Sequence, residues 1–281
     1  MPRRIIINAD DLGLSPSVNT AIFDVFRAGN LTSATLMVNM PGTTDAVARL
    51  KDHPGLAIGL HFCITEGRAL TGPSSLTDAT GLFRTRSELA RMALRGKVHA
   101  ADVQREFSAQ LDRLRSFGIS PTHTDSHQHV HMMPAVLNGM LPALKGTDLA
   151  LRLVDPPASA VRGSLGRPPK ALKQWLNRRF ARQARRRTTQ RTNDALVSIH
   201  DLDHAGPYDA STYRGLLKAV PEDALVEVMV HPYILGADVL DLYAVDPEAK
   251  RPFLQRCLAE YEALRGNPVF EGMELVSFAA A

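Results

Sequence analysis

The chain has 281 residues, of which 44% are apolar, 22% are charged and 6% are aromatic. This composition excludes a disordered, collagen-like or coiled-coil chain and is typical of one large α/β domain or two small ones. No stretch approaches the roughly 20 apolar residues that cross a bilayer, and the run Ile5–Ile7 is shorter than a secretory h-region. The two cysteines, Cys63 and Cys257, are too far apart in the sequence for a disulfide framework or a zinc knuckle to be expected. We therefore expect a soluble, cytoplasmic protein.

The formal net charge of +4 is unevenly distributed. Between Asp155 and Asp194 there are eleven arginines and lysines and no acidic residue. The remaining 22 basic residues face 29 acidic ones, so the rest of the chain carries a charge of −7. One strongly basic segment thus interrupts a mildly acidic protein, and the net charge alone does not indicate nucleic-acid binding.

Short β-branched apolar runs alternate with helical patterns along the chain. The first run, Arg4–Ala9, is followed by Ser15 as the expected N-cap and Pro16 at the first position of a helix that ends at Gly29. Seven further runs predict strands: Ser33–Val38, Leu56–His61, Thr122–Ser126, Leu149–Val154, Leu196–Ile199, Leu225–His231 and Met273–Ser277.

Strands that alternate with helices form parallel sheets, so this order predicts an α/β fold. Eight strands over the whole length favour a distorted (β/α) barrel of the TIM type over an open doubly wound sheet. No repeat and no linker divides the sequence. We therefore expect a single domain, residues 1–281, with a basic helical insertion at about 162–191.

The insertion contains an apolar stripe at helical spacing, formed by Leu172, Trp175, Leu176 and Phe180. The simplest interpretation is a helix that packs on the barrel and leaves a solvated basic surface. The alternative is contact with an anionic membrane surface or with a phosphate-bearing substrate, such as a lipid-linked or nucleotide-linked amino sugar, since basic amphipathic helices can bind both. Nucleic acid is not an expected partner, because no recognition motif or interleaved aromatic residues accompany the arginines.

Six of the ten histidines lie where the predicted strands end. His61 ends the third strand, the segment His123–His131 contains four histidines, and His231 ends the seventh strand before a proline. The first strand leads into Asp10 and Asp11. In a parallel barrel these carboxyl ends meet at one mouth, where active sites lie.

The adjacent carboxylates Asp10 and Asp11 repel each other at one mouth unless a cation or a shared proton relieves them. The simplest assignment of roles makes one carboxylate a metal ligand and the other a general base. The alternative is a simple turn or helix entry in which Gly13 takes a positive φ.

Taken alone, His61 is more often a hydrogen-bonded core side chain than a ligand. The histidine-rich segment Asp125–His131 favours a metal site, since histidine and aspartate are common ligands. Asp11, His61 and His127 supply one carboxylate and two imidazoles, and three protein ligands are typical of a catalytic metal. Zinc, manganese, nickel, cobalt and magnesium are all compatible, although imidazole disfavours magnesium. His231 is a candidate acid or simply a strand end.

Four motifs together resemble the YdjC-like carbohydrate deacetylases, a family that includes chitooligosaccharide and hopanoid-associated deacetylases. The motifs are Asn8–Ser15, Thr32–Asn39, Ile58–Phe62 and Thr122–His131. The resemblance implies a distorted (β/α) barrel, commonly a homodimer, in which one divalent ion, magnesium or zinc above all, serves to remove N-acetyl groups from amino sugars. The sequence departs from the family at Leu12, where phenylalanine is frequent, and in its dense basic segment.

Carried over by position, the resemblance makes Asp11, His61 and His127 the metal ligands. Asp10 then corresponds to the general base and His231 to the acid. Arg152 and Asn39 are the expected substrate contacts. Two other functions remain open: another metal-dependent barrel hydrolase, such as an O-deacetylase or phosphoesterase, and a non-enzymatic metal-containing binding protein.

Overall fold

The computed structural model describes residues 3–243 and 247–280. Its strands are β1 Arg4–Leu12, β2 Ser33–Leu36, β3 Ala57–Phe62, β4 His123–Ser126, β5 Ala150–Leu151, β6 Ala195–Val197, β7 Leu225–Val230 and β8 Glu274–Leu275. Its α-helices are α1 Pro16–Arg27, α2 Thr43–Leu50, α3 Arg86–Leu94, α4 Ala100–Ser116, α5 Pro134–Leu144, α6 Ala158–Gly163, α7 Pro168–Arg187, α8 Ala210–Leu217, α9 Ala237–Leu242 and α10 Pro247–Leu264. Short 3₁₀ segments occupy His127–Met132 and Ile199–Asp201. Over the ranges described, none of the helices is long and apolar enough to cross a membrane.

The strands form one curled parallel sheet in the order β5-β4-β3-β2-β1-β7-β6. Its two edges approach each other where Leu151 of β5 bridges to Thr192. The Asn193 side chain joins them further, since it accepts from the Leu153 amide at 2.7 Å and donates to the Leu153 carbonyl at 3.0 Å. The predicted distorted α/β barrel is therefore confirmed.

The eighth strand lies outside the order expected of a regular eight-stranded barrel. Residues Arg4–Ala9 of β1 pair directly with Leu225–Val230 of β7, which leaves no space for a strand between them. β8 instead pairs only with Arg4 and Ile5 at the start of β1. The sheet path thus has seven strands, and β8 extends it at the end opposite the strand carboxyl termini.

A bulge at the end of β1 directs two consecutive acidic residues toward the mouth of the barrel. Ala9 pairs with Ala34 and Leu12 with Leu36, so β1 advances three residues while β2 advances two. Asp11 takes a φ of 66°, in the left-handed region that few residues other than glycine adopt. Because of this bulge, Asp10 and Asp11 both reach the mouth of the barrel, whereas neighbours on a regular strand point to opposite faces.

The turn after the bulge requires glycine. Gly13 has a φ of +87°, and a Cβ at this position would lie 2.6 Å from the carbonyl oxygen of Met37. The turn expected from the sequence is therefore present, and it accompanies the carboxylate site at the mouth.

The basic insertion contains the expected long helix, α7, but its apolar stripe packs differently from the prediction. The buried residues of α7 are Gln174, Ala181 and Ala184, and Phe180 packs partly against the core. Leu172 and Trp175 are 57% and 50% exposed, so the part of the stripe that they form does not pack on the barrel as the simplest interpretation expected. The helix thus packs through Gln174, Phe180 and two alanines and leaves Leu172 and Trp175 in solvent.

Candidate active site

One carboxylate and two imidazoles converge at the mouth of the barrel. The Oδ1 atom of Asp11 lies 3.1 Å from Nε2 of His61 and 2.7 Å from Nδ1 of His127. Candidate ligand atoms of all three residues lie within 4.8 Å of one another. The three side chains line a cavity of about 460 Å³. Side chains from three separate strand ends thus meet as the sequence predicted, and this donor set fits a divalent cation.

Partners behind these side chains fix their orientation. Nδ1 of His61 lies 2.7 Å from Oδ1 of Asp125, which leaves Nε2 to face Asp11. The Thr35 hydroxyl donates to the other Asp125 oxygen at 3.1 Å. The Tyr233 hydroxyl donates to Oδ2 of Asp11 at 2.5 Å. Hydrogen bonds of this kind behind metal-ligating side chains hold the ligands and raise their basicity.

The electrostatics of this cluster favour positive charge. Burial alone would lower the pKa of His61 and of His127. The carboxylates of Asp125 and Asp11 outweigh burial at His61, and Asp11 outweighs it at His127, so the pKa of each imidazole rises to about 10. Burial would raise the pKa of Asp11, but the two imidazoles hold it well below its usual range. The carboxylate charge that raises these two pKa values also attracts a metal cation, which would displace the protons from the imidazoles.

Asp10 is held in a different environment from its neighbour. Its two carboxylate oxygens each accept a hydrogen bond from Arg152 at 2.6 Å, and Oδ1 also accepts from the Asn8 amide at 2.9 Å. Burial would raise the pKa of Asp10, but the Arg152 guanidinium keeps it well below its ordinary value. Asp10 is therefore a fixed, ionised carboxylate that still lines the cavity.

Arg152 lies beneath the site instead of at its surface. Its side chain has no exposed area and also contacts Asp125 at 2.6 Å and Glu227 at 2.7 Å. Because its guanidinium is engaged by protein carboxylates, it has no surface to offer a substrate. Arg152 thus lies behind Asp10, which it contacts through two hydrogen bonds, and it does not line the cavity, where the substrate contact expected from the sequence would have to lie.

His231 faces both aspartates from β7. Its Nε2 atom lies 3.8 Å from Oδ2 of Asp10 and 3.9 Å from Oδ2 of Asp11. Its backbone amide donates to Glu260 at 2.6 Å, and the ring of His200 packs edge-on at 4.8 Å. Nδ1 of His231 has no hydrogen-bond partner among the residues that the structure describes.

Three histidines of the segment His123–His131 do not join the cluster of Asp11, His61 and His127. His123 bonds to Asn8 at 2.9 Å and stacks on Phe278, and the two ring nitrogens of His131 contact Ser126 and Arg152 at 2.6 and 3.0 Å. His129 lines the cavity, and its backbone adopts a left-handed φ of 57°. His127 alone contributes to the carboxylate–imidazole cluster, and the other histidines build its surroundings.

Asn39, the other expected substrate contact, does not line this cavity in the described structure. Its side-chain amide donates to the carbonyl of Glu66 at 3.1 Å. The Glu66 carboxylate in turn lies 3.8 Å from Nε2 of His127. Asn39 therefore supports a loop beside the ligand cluster.

A family model described as YdjC-like protein matches residues 4–273. The chain belongs to the YdjC family. A carbohydrate deacetylase from Brevibacillus brevis is 33% identical to this YdjC-family chain over 246 residues, which are 84% of each protein. A carbohydrate deacetylase from Geobacillus stearothermophilus is 49% identical over 136 residues, covering 48% of this chain and 54% of that protein. A chitooligosaccharide deacetylase from Yersinia pestis is 37% identical over 154 residues, covering 54% and 60% of the two chains.

The matched part of this YdjC-family chain thus spans little more than half of the Geobacillus and Yersinia proteins. Among solved structures, a protein from Enterococcus faecalis V583 described for cellobiose-phosphate cleavage superimposes with a TM-score of 0.74 at 24% identity. The superposition covers 99% of this chain and 98% of that one. At this identity the likeness supports the fold alone.

Several side chains of the YdjC site had no role assigned from the sequence. Glu227 is the single charged residue in the apolar strand β7, and a buried charge in such a run signals a buried partner. His200 follows β6 and lines the cavity, so it continues the pattern of histidines at strand ends. Tyr233 lies two residues after His231, but nothing in its local sequence indicates its bond to Asp11.

Proposed function

We propose that this YdjC-family protein is a metal-dependent hydrolase that removes the N-acetyl group of an amino sugar. The observation that carries the proposal is the meeting of Asp11, His61 and His127 in a cavity that Asp10 and His231 also line. The names of the matched relatives, carbohydrate and chitooligosaccharide deacetylase, support the substrate class.

The proposed ligands are Asp11, His61 and His127. A divalent ion bound by them supplies a Lewis acid for the acetamide carbonyl and lowers the pKa of water. Two imidazoles favour zinc over magnesium among the candidate ions, because magnesium prefers oxygen ligands. Tyr233 and Asp125 hold the ligands in place through the hydrogen bonds described above.

Asp10 and His231 are the proposed general base and general acid. Asp10 is ionised and oriented by Arg152, so it can accept a proton from the attacking water. As the water oxygen bonds to the acetyl carbon and the carbon–nitrogen bond breaks, the departing amine needs a proton. Nε2 of His231, which faces the same cavity, is placed to donate it. Each such residue typically contributes ~10²–10⁴ in rate.

Two substitutions separate the base from a ligand. Asp10→Asn is expected to retain the metal but to lose ~10²–10⁴ of the acetate release from N-acetylated chito-oligosaccharides. His127→Ala is expected to lose both the metal and the activity. Asp112→Asn, a matched change of an exposed carboxylate on α4, serves as the control. Elemental analysis and acetate assays give the two readouts, and loss of metal in Asp10→Asn would show that the aspartate roles are reversed.

A substrate panel tests the reaction class separately. N-acetylated, O-acetylated and phosphorylated sugars are offered to the same metal-loaded protein. Acetate and free amine from the N-acetylated sugars support the proposal. Release of only phosphate or only ester-linked acetate would show that the protein is a different hydrolase. Bound metal without turnover of any of these sugars would indicate a binding protein.

A further inference from the structure

A single face of α7 carries both apolar and basic exposed residues. Its members recur at spacings of three and four: Leu172, Trp175, Arg179, Arg182 and Arg186. At about 100° per residue these positions fall within an arc of about 80°. All five side chains are exposed, and we call this set the α7 face.

The basic end of the α7 face borders an open cavity of about 790 Å³. Its lining contains five arginines, Arg178, Arg179, Arg182, Arg186 and Arg187, and no acidic residue among those described. Arg182, Arg186 and Arg187 form no ion pair within residues 3–243 and 247–280. Clustered arginines that remain unneutralised attract multivalent anionic groups, phosphates above all, since guanidinium binds phosphate in a bidentate manner.

The apolar end of the same face is exposed, and the Arg179 guanidinium lies 5.7 Å from the ring centre of Trp175. Leu172 and Trp175 are 57% and 50% exposed, and Leu165, which precedes α7 in the chain, is 70% exposed. They are three of the seven large apolar side chains that the described chain exposes, and they fall within eleven consecutive residues. Tryptophan and leucine beside arginines are typical of surfaces that bind at the boundary between lipid headgroups and acyl chains.

We propose that the α7 face docks this protein on an anionic membrane surface. Trp175 and Leu172 enter the headgroup boundary, and the arginines at the other end bind lipid phosphates. Exposed aliphatic side chains favour a lipid surface over a nucleic acid, which offers no apolar phase to receive leucine. The arginine-lined cavity shares no lining residue with the cavity at Asp11, so this docking is separate from the proposed deacetylation.

The chain itself supplies the reporter, because Trp175 is its single tryptophan. Full-length protein is mixed with vesicles of phosphatidylglycerol and phosphatidylcholine in equal parts, or of phosphatidylcholine alone, at 50 and 500 mM salt. We expect a blue shift of the emission and quenching by brominated lipid with the anionic vesicles at low salt. Co-sedimentation with the same vesicles gives the apparent affinity.

Matched variants locate the contact. Arg182→Gln with Arg186→Gln is expected to weaken co-sedimentation by roughly 25-fold, about fivefold for each arginine near the surface. Arg113→Gln with Arg214→Gln removes the same charge from exposed positions on α4 and α8 and is expected to change it little. Leu172→Gln is expected to reduce quenching by brominated lipid. All substituted side chains are exposed, so far-UV circular dichroism should remain unchanged.

Three results would overturn the proposal. The first is an unchanged tryptophan emission together with no co-sedimentation on anionic vesicles at 50 mM salt. The second is an equal loss of binding in the two double variants, since that would reflect net charge and not the α7 face. The third is displacement of the protein from the vesicles by a short RNA duplex at equal phosphate concentration, since this would assign the surface to a soluble polyanion. Inorganic phosphate alone is expected not to displace the protein.

Discussion

Replacing Arg152 with methionine removes a buried charge while keeping an unbranched apolar stem in its place. Five N···O distances of 2.5–2.7 Å join the guanidinium to Asp10, Asp125 and Glu227, which matches its five N–H donors. Arg152→Met therefore leaves three buried carboxylates without their shared cation. Asp125 keeps the His61 imidazole at 2.7 Å, whereas Asp10 and Glu227 lose the cation that contacts them.

The expected loss is large for one substitution. Breaking a buried ion pair by removing one partner costs about 3–5 kcal/mol, because the remaining charge stays desolvated. Burial already raises the pKa of Glu227 to about 7 even with Arg152 present. Adding Glu227→Gln to Arg152→Met removes one of the uncompensated carboxylates, and the coupling between these contacting residues is expected to be about 0.5–3 kcal/mol.

Urea denaturation of the four proteins of this cycle measures the free energies of unfolding. Excess chelator keeps metal binding from contributing to them. Arg113→Met, an exposed arginine on α4, is the control and is expected to change the stability by less than about 0.5 kcal/mol. A loss below about 1 kcal/mol in Arg152→Met, with a raised KM for substrate, would refute this reasoning and restore the substrate-contact role expected from the sequence.

Three further predictions concern the surroundings of the site. Tyr233→Phe removes the hydroxyl that donates to Asp11 and is expected to weaken metal affinity by about 10–100-fold in chelator competition; unchanged affinity would contradict its supporting role. Burial raises the pKa of Glu260 from an ordinary 4.5 to about 8, so the folded state keeps a proton that the unfolded chain loses, and stability should fall as the pH rises from 4.5 to 8. Glu260→Gln should reduce this fall in thermal melts across that range, whereas Glu262→Gln on the exposed side of α10 should not. Gly13→Ala should destabilise the fold by more than about 1 kcal/mol in urea, and a neutral effect would mean that the turn can relax.

Much of the fold could be predicted from the sequence because parallel strands buried on both faces read as apolar runs. β1 and β7 are examples, since each is almost continuously buried. The place of β8 could not be predicted, because a short apolar run does not say which neighbour it pairs with. Periodicity places Leu172 and Trp175 on one helix face but does not show what covers that face, so it could not distinguish packing on the barrel from exposure to solvent.

The candidate site divides in the same way. Asp11, His61 and His127 could be brought together from sequence because barrel topology places strand ends at one mouth. The contacts of Arg152 could not be found there, since an arginine next to a strand does not show in the sequence whether it faces solvent or buried carboxylates. Glu227 offered that sign, because a lone acidic residue in a buried strand requires a cation nearby.

The backbone at the end of β1 explains how two adjacent aspartates can hold different roles. On a regular strand their side chains would point to opposite faces, and only one would reach the mouth. The bulge between Ala9 and Leu12, with Asp11 in the left-handed region, aims both inward but at different partners. Asp10 meets the cation of Arg152 and becomes a fixed ionised group, while Asp11 meets two imidazoles whose nitrogens suit a metal. One irregular step of the main chain thus gives the proposed base and the proposed ligand different partners. Each aspartate can therefore be substituted to test its role while the other keeps its own contacts.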